Sequence, residues 1–341
     1  MAGDSPWRRI ITGALSIFFG LALLAAVYFL ARPLAFLILS IALAAALSPL
    51  VNVLDRRLPR IVGVVVVYLA LILVIILLGW LILPTIINQA VQLSGRVPDY
   101  FTRIEDWISS LGVTPSSFSL IDTLASQGSR LAGEILSWPL TVGSSLFELF
   151  LVLFISMYAL IEAPRIRAGL ASLFPADQAV GVTGVLNAMA SAMGGYLRGS
   201  AINGIIIGVA SALGFLWIGL EYAFVLGVLA GVLELLPVLG PIIAGTVAVM
   251  IALVQSPQQT LIVLGFVILI QQVENNLLVP FVMRSQAEIS PLVSIVAVFA
   301  GGAIGGLLGA IIAIPVAAAL TVLVRLAIAP AIRRANGLLN E

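Results

Sequence analysis

Three residue types are missing from this chain, which contains no cysteine, no histidine and no lysine. The lack of cysteine excludes disulfides, thiol nucleophiles and cysteine-attached haem. The lack of cysteine and histidine together excludes zinc sites of the usual ligand sets. Histidine is also the side chain that titrates nearest neutrality, so any proton chemistry in this protein must rest on carboxylates.

Charged residues are scarce, at 9% of the chain, whereas hydrophobic residues make up 62%. Soluble domains average about 25% charged residues, so this chain has too little polar surface to be a soluble monomer. Several apolar runs reach the roughly 20 residues that a helix needs to cross a bilayer. They lack the alternation that a transmembrane β-barrel requires. The fold class we expect is all-α, a polytopic integral membrane protein with about eight transmembrane helices.

Signatures of enzymes and of nucleic-acid-binding proteins are also missing. The sequence has neither G-x-x-x-x-G-K-[ST] nor a G-x-G-x-x-G that follows a strand, so we expect no ATP hydrolysis. It has no H-E-x-x-H and no basic patch. We therefore predict a protein that is not an enzyme and uses no metal or other cofactor. Its expected partners are membrane lipids and a transported solute or ion, with no nucleic acid.

Eight apolar segments are candidate membrane spans. They are 10–31, 34–54, 61–83, 141–162, 200–219, 222–254, 260–281 and 290–327. The first is longer than the roughly 7–15 residues of a signal-peptide core, and a second span follows at once, so we expect it to be retained. Segments 222–254 and 290–327 could each make one crossing, two crossings or a re-entrant hairpin, and these three alternatives stay open.

The arginines orient these spans. They cluster in segments 55–60 and 163–199 and in the carboxy-terminal tail, and the positive-inside rule places such clusters, with both termini, in the cytoplasm. Segment 84–140 is then outside. Its apolar periodicity, around Trp107 and again around Leu131, predicts two short amphipathic helices at the interface, which either cap the bundle or gate an exit path.

The chain divides into six predicted regions. They are three amino-terminal spans at 1–83, extracytoplasmic amphipathic helices at 84–140, a fourth span at 141–162, a cytoplasmic amphipathic segment at 163–199, a transport region with broken helices at 200–328 and a cytoplasmic tail at 329–341. Close glycine spacing near the start of span 200–219 indicates tight helix packing.

Glycine and proline interrupt the apolar segments of the transport region. The candidate helix breaks or hinges are Pro237, Gly240 and Pro241 in the first interrupted segment and Gly301, Gly302 and Gly305 in the second. Paired interruptions of this kind are typical of transporter binding sites. The similar strings 241–245 and 309–313 follow the two breaks and suggest an inverted internal repeat as a hypothesis.

A cluster of polar residues runs from Gln271 to Asn276 in an otherwise apolar segment. Gln271, Glu274 and Asn275 share one helical face because they are spaced i, i+3, i+4. Such side chains at membrane depth are costly unless they face protein, water or cargo. We predict that these residues, with Asn276 and with Glu234 near the first break, bind a substrate or an ion. The alternative is that they hold the helices together by hydrogen bonds.

The chain resembles the AI-2E family of bacterial membrane proteins, the autoinducer-2 exporter family. The resemblance lies in Glu-Leu-Leu-Pro-Val-Leu-Gly-Pro at 234–241, the polar segment 271–280, the glycine and proline pattern of 291–315 and the early 46–50 segment with its arginine loop. It implies a multi-spanning inner-membrane transporter that exports autoinducer-2 or exchanges Na+ or Li+ for protons. It also implies a homo-oligomer, a pentamer. The absence of histidine makes a histidine-based proton relay impossible in this chain.

The function we predict is secondary transport that exports a small hydrophilic, autoinducer-2-like solute through a polar path in the carboxy-terminal region. One alternative is a Na+(Li+)/H+ antiporter that uses Glu234 and Glu274. A second alternative is a membrane scaffold or regulator that transports nothing.

The orientation can be tested with single cysteines, since the chain has none of its own. A cysteine at Arg56 or Arg165 should react with an impermeant thiol reagent only from the cytoplasmic side, and one at Trp107 only from outside, because arginine-rich loops stay inside. Labelling of Trp107→Cys from the cytoplasmic face alone would refute the arrangement.

Overall fold

The computed structural model describes residues 30, 32–110, 146–236, 239–282 and 290–335. Its regular elements within these ranges are all helical, so the predicted all-α class is confirmed. Six helical segments of the described residues are long and apolar enough to cross a membrane, as a polytopic protein requires. Most of the first predicted span and the second amphipathic repeat around Leu131 lie outside the described residues.

The described residues form ten α-helices and two π-helical turns. In chain order they are α1 Arg32–Leu54, α2 Arg60–Ser110, α3 Leu146–Ala171, α4 Ala176–Ile218, α5 Ala223–Leu233, α6 Leu239–Gln255, α7 Pro257–Val273, a π turn Glu274–Leu278, α8 Val279–Val282, α9 Pro291–Leu323, a second π turn Val324–Ile328 and α10 Ala329–Ala335.

Two helices are longer than the sequence predicted. Helix α2 has 51 residues, so residues 84–110 prolong the third span instead of forming a separate interfacial helix. Helix α4 has 43 residues and includes Arg198, which we expected in a cytoplasmic segment. Glycine and proline did not end these helices. Each residue added to an existing helix closes one further backbone hydrogen bond, so a helix that has already formed continues through such weak positions.

Helices α1 to α3 share one apolar cluster, and we call these three helices the scaffold. Val51, Val64 and Leu160, one from each helix, are buried in that cluster. Arg60, the first residue of α2, links the loop after α1 to α3. Its guanidinium donates to Asp55 at 3.0 Å and to the carbonyl oxygen of Leu160 at 2.9 Å. The scaffold is therefore held by both apolar packing and polar contacts.

Helices α5 and α6 fold back on each other, and we call them hairpin 1. Ala223 and Ala252 share a buried cluster at the open end, while Ala230 and Ala244 share another nearer the tip. Helix α5 has 11 residues and is about 16 Å long, roughly half of the ~30 Å hydrocarbon core. Of the three alternatives for segment 222–254, this fold-back excludes a single crossing, and the length of α5 fits a re-entrant hairpin and not two crossings.

The predicted interruption of this segment is confirmed by the end of α5 at Leu233 and the start of α6 at Leu239. Gly240 is needed there, because a Cβ at this position would overlap the carbonyl of Leu233. Pro241 lies in the first turn of α6, where a helix does not use the backbone N–H in any case. Pro237 lies outside the described residues.

The second interrupted segment also folds back, and we call its two limbs within α9 hairpin 2. The reversal occurs at Gly306, where φ is 60° and ψ is −146°, a combination that is essentially restricted to glycine. The break is therefore one residue beyond Gly305, and not at Gly301, Gly302 or Gly305 as predicted. Gly301 instead permits close packing, because a Cβ there would lie 2.9 Å from the carbonyl carbon of Gly309 in the other limb.

The two hairpins contact neighbouring parts of α4. Tyr196 shares a buried cluster with Val298 and Ile314 of hairpin 2. Gly204, about two turns further along, approaches hairpin 1 so closely that a Cβ there would lie 2.5 Å from the carbonyl oxygen of Gly231. Helix α4 therefore runs along both hairpins.

Replacement of Gly306 by alanine should destabilise the protein by about 1–3 kcal/mol, because alanine is strained at this backbone conformation. The adjacent Gly305→Ala is the matched control, since a Cβ there has open space and φ is not positive. Thermal unfolding of the purified protein in detergent measures both variants. Equal midpoints for the two variants would contradict the assignment of the reversal to Gly306.

Candidate functional site

Three polar side chains meet inside the helical bundle. Asn203 lies on α4, Glu234 directly follows α5 at the tip of hairpin 1, and Glu274 is the first residue of the π turn after α7. The Nδ2 atom of Asn203 donates to Oε1 of Glu234 at 3.0 Å and to Oε1 of Glu274 at 3.1 Å. One amide group therefore bridges two carboxylates from different elements, and we call the three residues the carboxyl–amide cluster.

The cluster is almost completely buried. Asn203 is 2% exposed, and Glu234 and Glu274 are each 6% exposed. Oδ1 of Asn203 and Oε2 of Glu234 have no hydrogen-bond partner among the described residues. Buried acceptors of this kind are costly, and a proton or a cation would satisfy them. The cluster is therefore chemically suited to bind a positively charged species.

Local backbone features bring the three side chains together. Gly204 has no side chain to keep hairpin 1 away, and a Cβ there would lie 3.5 Å from Cβ of Glu234. This close approach places Glu234 beside Asn203, the preceding residue of α4. On the other side, α7 widens into the π turn at Glu274. Such turns inside helices often occur at functional sites because they redirect side chains.

The π turn also separates the residues that we predicted to share one face. Glu274 points inward and Gln271 is half-buried, whereas Asn275 and Asn276 are exposed. The Nδ2 atom of Asn276 donates to the carbonyl oxygen of Gln272 at 2.9 Å and to its Oε1 at 3.1 Å. Of the five predicted binding residues, the structure thus joins Glu234 and Glu274, while Asn275 and Asn276 lie outside their contact.

Sequence reasoning missed Asn203. We interpreted its surroundings as a packing motif, and that interpretation of Gly204 and Gly208 is confirmed by their close approach to hairpin 1. The available signal was the amide itself, because a polar residue within a membrane span is by default a candidate functional residue. It lies between Ile202 and Gly204 in span 200–219, with no polar neighbour that would have drawn attention to it.

Neighbouring charged groups do not neutralise the cluster. The ion pairs of the described residues involve neither Glu234 nor Glu274. Arg198 lies on the same helix as Asn203, but its Nη1 atom donates to the carbonyl oxygens of Ala45 and Ala46 in the scaffold, at 3.0 Å each. The negative charge of the cluster therefore has no arginine partner in the described part of the chain.

Two segments that fold back, with buried carboxylates at the tip of hairpin 1 and on the π turn, are typical of membrane transporters. Interrupted helices provide polar groups and backbone near the bilayer midplane, and ionisable residues at that depth usually mark ion or substrate pathways. The architecture and the site together define a polytopic membrane protein of the transporter class.

The chain belongs to the AI-2E family of transporters, whose family model matches residues 17–328. It is 25% identical over 284 residues to YueF of Bacillus subtilis (strain 168), named as a candidate transport protein, which covers 79% of this chain and 77% of YueF. It is 26% identical over 306 residues to YrrI of the same organism, also named as a candidate transport protein, with 84% of each chain covered. It is 25% identical over 334 residues to a sodium-lithium/proton antiporter of Halobacillus andaensis, covering 90% of this chain and 91% of that one.

Replacement of Asn203 by leucine should lower thermal stability strongly. It removes two hydrogen bonds to carboxylates, and such bonds contribute about 1.5–3 kcal/mol each. Asn276→Leu is the matched control, because this amide is exposed and bonds only within its own helix. Unfolding midpoints of both purified variants are compared with that of the unmodified chain. If Asn203→Leu unfolds at the same temperature as the control, the amide does not hold the cluster together.

Proposed function

We propose that this protein is a secondary transporter of the bacterial inner membrane that exchanges Na+ or Li+ for protons at the carboxyl–amide cluster. The observation that carries the proposal is the meeting of two buried carboxylates at the one amide nitrogen of Asn203. Their Oε1 atoms are no further apart than the sum of two hydrogen-bond lengths. At this distance two negative charges repel each other strongly in a medium of low dielectric constant.

A bound proton or a bound monovalent cation relieves this repulsion. Carboxylate and amide oxygens are also the ligands that hard cations prefer, and the cluster contains two oxygens, one on Asn203 and one on Glu234, with no partner in the described residues. Proton and cation therefore compete for the same oxygens. Competition at one site is the simplest basis for exchange, and it is supported by the name of the Halobacillus relative.

The second candidate function is export of a small hydrophilic solute such as autoinducer-2, which the family resemblance implied. The observation that favours it is the presence of uncharged amides next to Glu274, on the half-buried Gln271 and on the exposed Asn275 and Asn276. Amides at membrane depth suit a neutral solute with hydroxyl groups, because they donate and accept hydrogen bonds. In this case the cluster would carry the coupling ion.

The arginine distribution supports an orientation with both termini in the cytoplasm. In that orientation, counting the predicted first span, hairpin 1 enters the membrane from outside and hairpin 2 enters from the cytoplasm. The family resemblance further supports a homo-oligomer, a pentamer, with lipids around its outer surface. A membrane scaffold without transport is disfavoured, because such a role would not require two buried carboxylates at one amide.

Glu274→Gln and Glu234→Gln should each abolish exchange while leaving folding nearly intact. Glutamine keeps the shape and most of the hydrogen bonding of glutamate but removes the charge that a cation or proton must balance. The measurement is Na+- or Li+-driven proton movement in sealed vesicles that contain the purified protein, with K+ as the comparison cation. Thermal unfolding of the same preparations monitors the fold.

Glu162→Gln is the matched control, because this glutamate pairs with Arg165 at the surface and should leave the flux unchanged. Normal exchange in both cluster variants would remove the carboxylates from the mechanism. Loss of exchange together with loss of folding would return them to a structural role. Absence of cation-driven flux in the unmodified chain, with uptake of a labelled autoinducer-2-like solute in its place, would favour the second candidate.

A further inference from the structure

A proline in the scaffold leaves one backbone carbonyl without its helical partner. In α1 the carbonyl oxygen of Ala45 would normally accept from the backbone N–H four residues later, but that residue is Pro49, which has none. Two side chains donate to this oxygen instead. They are Oγ of Ser48, at 3.1 Å, and Nη1 of Arg198 on α4, at 3.0 Å. The unused carbonyl thus becomes an acceptor for a helix of the transport region.

Helices α1 and α4 are in direct backbone contact at this point. Gly194 lies one turn before Arg198, and a Cβ there would lie 2.5 Å from the carbonyl oxygen of Ala45 and 2.6 Å from the backbone nitrogen of Ala46. No residue but glycine fits without a shift of one helix. The contact of Arg198 with Ala45 therefore lies one turn from the point where the backbones of α1 and α4 touch.

The charge of Arg198 makes this contact more than ordinary packing. Arg198 is half-buried, and it takes part in no ion pair of the described residues. Its Nη1 atom instead donates to both Ala45 and Ala46. Hydrogen bonds from a charged donor are stronger than neutral ones, so these two bonds fasten α4 to the scaffold.

Arg198 and Asn203 point in different directions from the same helix. Five residues of α-helix correspond to a rotation of about 140° between their side chains, which matches their contacts with the scaffold on one side and with the two carboxylates on the other. Glu234 and Glu274 lie on other elements, the tip of hairpin 1 and the π turn. Hairpin 1 is joined to the scaffold at its open end, where the N–H of Val225 donates to Oε1 of Gln89 at 3.2 Å and Arg96 pairs with Glu221 at 3.3 Å. Its tip with Glu234 lies at the opposite end, whereas Asn203 is only five residues from the scaffold contact of Arg198.

We propose that Arg198 is a positioning residue for the carboxyl–amide cluster, which uses the carbonyl freed by Pro49 to hold α4 and Asn203 stationary against the scaffold. Cargo uptake then takes place by movement of the hairpin 1 tip and the π turn relative to a fixed amide. The expected effect of Arg198 on transport rests on the proposed function, whereas its contact with the scaffold does not. The link from Pro49 to Arg198 through the carbonyl oxygen of Ala45 can be tested without any transport assay.

The first test is a double-mutant cycle on thermal unfolding with Pro49→Ala, Arg198→Gln and the double variant. Alanine at 49 supplies the missing N–H to Ala45, so Arg198→Gln should lower the midpoint clearly less in the Pro49→Ala background than in the unmodified chain. Arg165→Gln is the control, because its side chain is 83% exposed and pairs only with Glu162. It should show no coupling to position 49. Additive effects of Pro49→Ala and Arg198→Gln would overturn the proposed contact.

The second test separates positioning from stability by measuring Na+-driven proton flux against Na+ concentration. Arg198→Gln removes two charge-assisted hydrogen bonds and should raise the concentration for half-maximal flux by at least about tenfold. The maximal rate should change little. Arg198→Lys, which retains the charge and can donate to a carbonyl, should restore most of the loss. An unchanged half-maximal concentration in a folded Arg198→Gln protein would overturn the positioning role, even if the unfolding cycle shows coupling.

The third test addresses whether α4 is stationary. Cysteines at Ala46 and Arg198 can be joined by a short bifunctional thiol reagent, because the chain has no other cysteine. The unjoined double variant should behave like Arg198→Gln, and joining should restore flux, since the bridge replaces the hydrogen bonds. If joining stops flux instead, α4 must move against the scaffold and the proposal is wrong. If the unmodified chain shows no flux at all, the proposed function fails, whereas the unfolding cycle still decides the contact itself.

Discussion

The arrangement of the transport region depends on one amide nitrogen. Nδ2 of Asn203 uses its hydrogens to reach Glu234 and Glu274 at the same time, and these residues lie on three different elements. Without a donor at this point, two buried carboxylates would meet with nothing between them. In a medium of low dielectric constant such an arrangement is strongly unfavourable. The position of hairpin 1 against α4 and α7 is therefore linked to the charge state of the cluster.

Glycine makes the amide accessible to its partners. Close backbone contact at Gly204 brings hairpin 1 to α4, and close contact at Gly240 closes the tip next to Glu234. Close backbone contact at Gly194 joins α4 to the scaffold in the same way. Apolar surfaces gain little by associating in lipid, so helices in a membrane are held by close packing and by polar contacts. In this protein a closely packed glycine twice lies near a polar contact: Gly204 is next to Asn203, and Gly194 is one turn from Arg198.

The two hairpins are related in construction. In each, an apolar limb is interrupted and a second limb begins with a similar string, 241–245 in hairpin 1 and 309–313 in hairpin 2. Their reversals differ in detail. Hairpin 1 reverses over the several residues that separate α5 from α6, whereas hairpin 2 reverses at the single residue Gly306. A similar pattern of limbs is what the hypothesis of an internal repeat leads one to expect, and the repeat itself stays a hypothesis.

The amino-acid sequence by itself determined the helical membrane class and the interruption of segment 222–254, and it pointed to Glu234 and Glu274 as candidate polar groups of that region. These follow from composition and from local rules, since apolar length, glycine, proline and intramembrane charge have consequences that do not depend on distant residues. Only the tertiary structure decided that both segments fold back, that the second reversal is at Gly306, and that Asn203 joins the two carboxylates. The physical reason is that these outcomes depend on contacts between residues far apart in the chain. Asn203 and Glu274 are 71 positions apart in the chain, and nothing local in the sequence signals that their side chains will share a hydrogen bond.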